Sequence, residues 1–230
     1  MNEKTLSKEA LEIIDSYLNF KIDEMSCGIP YYNNKKTGSR ISTRVQKGKG
    51  SPEEIKQEVR ELLIKEGIKN IKFDLKKFLV ERNIGIDCSG LAYYILDAEC
   101  QSLGKGKLKD NISFPFCKGI FRKIKCKLRP EENIDVATLA HNTNSHIVPI
   151  EKIEPGDMVT ILRENKERNH ILIIHKVGYI NNIPNIIYYT HSISLPEDGL
   201  YGHGIRQEKI ELGKQEWNKN YIIRRLHCFS

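Results

Sequence analysis

Four β-branched and aromatic runs crowd the C-terminal third of the chain: "GDMVTIL" (156–162), "HILIIHKVGYI" (170–180), "NIIYYTHSIS" (185–194) and "NYIIRRLHCF" (220–229). Asn, Pro and Gly separate them, as expected of strands joined by turns. Helical patterns come earlier. Residues 7–24 read as an amphipathic helix with Leu11, Ile14 and Leu18 on one stripe. "SPEE" opens a second helix, with Ser51 as N-cap, Pro52 in the first turn and Glu54 closing a capping box. Its buried stripe is Ile55, Val59, Leu62 and Leu63, and Gly67 ends it. A third helix is expected from Cys88 towards Cys100. Helices first and strands last predict an α+β domain with a mainly antiparallel sheet. No repeat or linker divides the 230 residues, and a 39% hydrophobic content suffices for one core.

No window of the chain is apolar for 18 residues, so no membrane span is expected. The first twenty residues mix charges with apolar side chains and lack the pattern of a signal peptide. The expected location of the chain as it stands is therefore cytoplasmic, or secreted and wall-associated if a leader precedes it. Cysteines occur at 27, 88, 100, 117, 126 and 228, with no CxxC pair. That spacing argues against structural zinc and against a disulfide framework, and it fits small buried hydrophobes. The net charge of +7 permits attraction to an anionic polymer. The densest basic run, "KGIFRKIKCKLR" (118–129), reads as a solvated loop.

One thiol stands apart. In "NIGIDCSGLAYYIL" (83–96), Cys88 lies where a glycine-containing turn gives way to an unbroken apolar helix. Unpaired N–H groups and the positive dipole end at a helix N-terminus favour a thiolate and offer donors to an oxyanion. A thiolate forming below the ordinary value of ~8.5 is expected there. A base must accompany it. His170, at the first position of its strand, can reach a site at the sheet's end. Strand alternation puts His170, Leu172 and Ile174 on one face and Ile171, Ile173 and His175 on the other. His191, on the next strand, shares the face of His170. If the turn centres on Asn182 and Ile183, His191 lies near Ile174, and contact with His170 needs a bulge, a longer loop or strong twist. His141, His146, His175, His203 and His227 read as half-exposed polar residues.

Taken in order, "DCSGL", "IEPGDMVTI", "HILIIHKVG" and "YYTHSIS" resemble the NlpC family of papain-like cysteine peptidases. "GIPYYNN" (28–34) is similar to that family's Gly-x-Pro-Tyr segment, and the tail from Gly204 resembles its closing strands. The likeness spans residues 26–226. It departs where Leu172 replaces a glycine, where Asn33 and Lys35 stand near expected glycines, and where "THSIS" lacks an alanine after the histidine.

The resemblance implies a papain-like fold and hydrolysis of an amide bond by Cys88, with His170 as general base and His191 as its orienter. Tyr31 is implied as an oxyanion donor, with Tyr32 as the neighbour it could be confused with. Asp87 and Ser89, flanking the thiol, are expected to bind substrate. The implied substrate is a cell-wall peptide, cut at a γ-D-glutamyl bond to a diamino acid. No cofactor, metal or nucleic-acid partner is expected. Two rival readings stay open: an amidase or acyltransferase acting on a lipid or small-molecule amide, and an inactive module that binds cell wall or nucleic acid. The domain reading is a helical extension over residues 1–25 and a hydrolase domain over 26–230. That domain carries insertions at about 34–80 and 101–150, expected to flank the cleft and face an acidic ligand.

Overall fold

A computed structural model describes residues 2–33, 43–68, 73–162, 169–213 and 221–230. Strand β1 (Asn2–Thr5) leads into helix α1 (Lys8–Leu18), the hairpin β2 (Phe20–Ile22) and β3 (Met25–Cys27), then α2 (Pro52–Lys65) and α3 (Leu75–Glu81). Helix α4 (Cys88–Ser102) is followed by four short helices: α5 (Leu108–Asn111), α6 (Ile120–Leu128), α7 (Pro130–Asn133) and α8 (Val136–Leu139). The strands β4 (Ser145–Ile147), β5 (Met158–Ile161), β6 (His170–Ile180) and β7 (Ile183–Ile193) come next. A short helix, α9 (Gly199–Gly202), precedes β8 (Gly204–Glu211) and β9 (Tyr221–Leu226). The arrangement is α+β. The main sheet runs β4-β9-β5-β6-β7-β8, and every pairing in it is antiparallel.

Strand β6 explains the unbroken "ILII". Ile171 and Ile173 enter the core shared with the helices, whereas Leu172 and Ile174 enter a second core on the other face. A strand covered on both sides needs apolar residues at every position, not at alternate ones. Helix α4 is buried nearly all round, with Leu91, Ala92, Ile95, Leu96 and Cys100 in the first core beside Ala10, Ile14 and Tyr17 of α1. The Ser51 capping box forms as its sequence predicts. Among the described residues, no helix is long and apolar enough to cross a membrane.

Four expectations are corrected. The helix read over 7–24 stops at Leu18, where the Asn19 N–H caps back to the Asp15 carbonyl and the chain turns into the β2–β3 hairpin. Residues 1–25 are not an appended extension. β1 pairs with the second half of β6, and Leu6, Phe20 and Ile22 join the main core. The basic run is a helix over Ile120–Leu128 and not a loop. Cys117 and Cys126 are joined in a disulfide, while Cys27, Cys88, Cys100 and Cys228 are free thiols. Of the two proposed insertions, residues 34–42 and 69–72 lie outside the described residues. The described parts are clasped together by Arg44 with Glu131 and by Lys47 with Glu132.

Candidate active site

Cys88 is the first residue of α4. Asp87 caps that helix, accepting the Gly90 N–H at 2.6 Å. The turn is held against residues 48–49, because the Asp87 N–H donates to the Gly48 carbonyl at 2.9 Å. Glycine is required at both contact points. Gly48 has φ of 72°, and a side chain there would collide with the Tyr32 carbonyl oxygen. A methyl group at Gly90 would meet the Gly48 oxygen at 2.9 Å and the Lys49 side chain at 3.1 Å. The glycine of "DCSG" thus lets the loop lie flat on the helix start.

Beneath this turn sits a buried cation that sequence reasoning missed. Lys49 is 4% exposed, and its Nζ donates to Asp87 Oδ1 at 2.8 Å, Ser89 Oγ at 2.6 Å and the Ile134 carbonyl at 3.1 Å. The signal for it was its place in "KGKG" (47–50), a lysine between two glycines. The network engages Asp87 and Ser89, the two residues expected to bind substrate. Asp87 is 2% exposed and Ser89 is buried, and their side chains are committed to Lys49 and to the helix cap. Both position the turn.

Cys88 is itself only 6% exposed. Burial, reinforced by the Asp87 carboxylate, pushes it up to about 12, although Lys49 and the backbone N–H groups of Ile171 and Ser89 pull it down. The lowered thiol expected from the helix terminus is therefore not found at rest, because desolvation outweighs the donors. The Ile171 N–H beside the sulfur puts Cys88 next to the start of β6, where His170 stands.

His170 Nε2 and His191 Nδ1 are 2.9 Å apart, and the rings meet edge to face. The hairpin makes this contact. Asn181 and Asn182 both have positive φ, 51° and 63°, and form a two-residue turn between Ile180 and Ile183. Such a turn matches the twist of the strands it joins. Two register irregularities, at Asn185 and His175, offset each other, so Ile173 faces Thr190. His191 then stands opposite Leu172, diagonal to His170 and within reach of its ring. The expected centre at Asn182 and Ile183 was one residue too far along, and the Asn-Asn pair was the overlooked signal. On the other side of β7, Ser192 Oγ donates to the Ile86 carbonyl at 2.7 Å, tying this strand to the segment that enters Cys88.

Burial and the nearby Arg206 cation push His191 down to about 4. Its Nε2 is buried and 3.4 Å from the Glu208 carboxylate, outside hydrogen-bond geometry. Tyr189 donates to the same carboxylate at 2.6 Å. Neither Glu208 nor Tyr189 was expected here. The β7–β8 pairing of Tyr189 with Glu208 and His191 with Arg206 brings them in. His175 lies at the bulge, where its Nδ1 bonds Thr190 Oγ1 at 2.9 Å, and burial pushes it down to about 4. It is buried, not half-exposed as expected. His141 and His203 are half-buried, and His146 and His227 are exposed.

Tyr31 forms a parallel bridge with Ile86, two residues before Cys88, and its ring meets His203 edge-on. Tyr32 donates its N–H to the Ile86 carbonyl, so both tyrosines of "GIPYYNN" adjoin the segment that enters the thiol. Gly85 allows this approach, since a methyl group there would collide with the Pro30 carbonyl. Among the described residues, no cluster of three or more His, Cys, Asp or Glu side chains is placed to hold a metal ion. In comparisons with known proteins, no family model and no curated protein matches the chain.

Proposed function

We propose that this chain is a cysteine hydrolase of papain-like, NlpC type that cuts an amide bond in a cell-wall peptide. The observation that carries the reading is the thiol at the start of α4 beside β6, whose first residue, His170, is hydrogen-bonded to His191. In this reading the resting pair is neutral thiol and neutral imidazole. His191 keeps its proton on Nε2, towards Glu208, and accepts the His170 Nε2–H at Nδ1. His170 Nδ1 is then the nitrogen that takes the Cys88 proton as the sulfur attacks the carbonyl. The imidazolium so formed is stabilised through His191, and it returns the proton to the leaving amine. Water then hydrolyses the thioester. Tyr31 is the proposed side-chain donor to the oxyanion, beside the N–H groups of the helix start. The disulfide, a bond that persists in oxidising surroundings, supports an extracytoplasmic location.

One observation favours the rival reading of an inactive binding module, namely a Cys88 thiol that is buried and protonated at rest. The deciding experiment digests peptidoglycan and a γ-D-glutamyl-diamino acid peptide with the full chain and identifies fragments by mass spectrometry. Cleavage that Cys88→Ala abolishes is expected. His170→Ala should lose about a hundred- to ten-thousand-fold and His191→Ala less. A fragment profile identical in wild type and Cys88→Ala refutes the hydrolase reading. Products that carry an added amine acceptor instead assign acyl transfer.

A further inference from the structure

Helix α6 does not pack on its apolar side. At about 100° per residue, Ile120, Ile124, Leu128 and Phe121 fall on a single stripe of the helix. All four are exposed, Phe121 at 90%, and exposed Phe116 precedes them. The opposite side carries the helix's one buried residue, Cys126, which the disulfide to Cys117 fixes to the body. The helix is therefore anchored by its back and presents its hydrophobic stripe straight outward. A solvent-facing helix of a globular domain normally does the reverse.

The charges bordering that stripe are of one sign. Residues 111–130 hold Lys118, Arg122, Lys123, Lys125, Lys127 and Arg129 and no acid. Arg129 pairs with Glu132, and the other five make no ion pair among the described residues. Lys123 and Lys127, one turn apart, line a cleft of about 290 Å³ between the helix and the body, together with Ser113 and Thr143. Phe114 and Pro115 complete its lining, so two lysines and two hydroxyl-bearing residues border a partly apolar cleft beside an outward apolar stripe.

We propose that α6 is an interfacial anchor that docks this protein on a membrane containing anionic phospholipid. Ile120, Phe121, Ile124 and Leu128 enter the headgroup–acyl boundary, and Lys123 and Lys127 take a lipid phosphate in the cleft. Charge complementarity selects this occupant. A protein groove would bury the stripe but has no general need for a basic segment whose cations, Arg129 apart, make no ion pair among the described residues, whereas an anionic bilayer meets both needs at once.

The test is co-sedimentation of the full chain with vesicles of phosphatidylcholine alone and of phosphatidylcholine mixed with phosphatidylglycerol. Binding to the anionic vesicles is expected, falling at least tenfold on neutral ones and weakening with salt. Each of Lys123→Gln and Lys127→Gln should cost about fivefold. Phe121→Asp with Ile124→Asp should abolish pelleting. Both positions are exposed, so near-ultraviolet circular dichroism should be unchanged. Wild-type protein left in the supernatant of anionic vesicles overturns the proposal, as does equal pelleting of all variants. Self-association without vesicles, lost in Phe121→Asp, overturns it in favour of a second copy of the chain on this face.

Discussion

Replacing Lys49 by methionine tests the foundation of the candidate site. The side chains are of similar length, so the change removes a charge and three hydrogen bonds with little change in volume. Lys49 and Asp87 are 4% and 2% exposed, which leaves the Asp87 carboxylate in a pocket water barely reaches. It would keep the Gly90 N–H, the Ser89 hydroxyl and Asn33 as donors, and Asn33 is already long at 3.3 Å. Ser89 Oγ and the Ile134 carbonyl lose Lys49 as well. Breaking a buried pair from one side costs about 3–5 kcal/mol, because the remaining charge is uncompensated. Lys49→Met should therefore lower the free energy of unfolding in urea by that amount. Adding Asp87→Asn removes the stranded charge and keeps a capping oxygen for Gly90, so the double variant should recover about half the loss or more. A Lys49→Met cost below about 1 kcal/mol, typical of a solvent-screened pair, would refute the reasoning. So would a double variant no more stable than the single one.

Acid should destabilise the fold before its carboxylates titrate. His175 and His191 are held down to about 4, so below the ordinary ~6.5 the unfolded chain takes up protons that the folded chain refuses. Stability is then full above pH ~6.5 and falls as pH drops towards 4, by about 3 kcal/mol for each ring. Urea midpoints measured across that window check it, and a flat profile contradicts the burial argument. Gly48→Ala should destabilise by at least about 1–3 kcal/mol from its backbone conformation alone, with the collision at Tyr32 added, and thermal unfolding reads this directly. His175→Ala should leave any turnover nearly unchanged yet cost about 1–3 kcal/mol of stability, since Thr190 loses its partner. A rate loss larger than that of His170→Ala would put the wrong histidine in the site.

Much of this architecture was legible in residue patterns, and the omissions have physical causes. The capping box at Ser51, the helix starting at Cys88 and the four β-rich runs are local signals, written within a few residues of where they act. The pairing of His170 with His191 was legible as a shared face. The remaining step depended on whether the turn fell at 181–182 or one residue later, and the positive φ at Asn181, with none at Ile183, decides it. Strand β1 could not be read that way. "NEKT" is polar and exposed at every position, and it is a strand only because the edge of β6 lies beside it. Lys49 was hidden for a related reason: a lysine is written the same whether solvated or buried, and its partners lie up to 85 positions away. In the basic run, the density of charge masks the helical spacing. The spacing of Ile120, Ile124 and Leu128 contained the helix all along.

The place of β9 in the sheet governs when the sheet can form. It follows every other described strand in the chain, yet it lies between β4 and β5 and not at an edge. Until residues 221–226 have left the ribosome, β4 has no partner, and β5 meets only β6. The nascent chain thus waits with two open strand edges, and the first strand waits too, because Asn2–Thr5 needs residues 176–179. Long-range pairings of this kind slow folding and expose edges to other chains. Loss of residues 221–230 would therefore split the sheet through its interior, between β4 and β5.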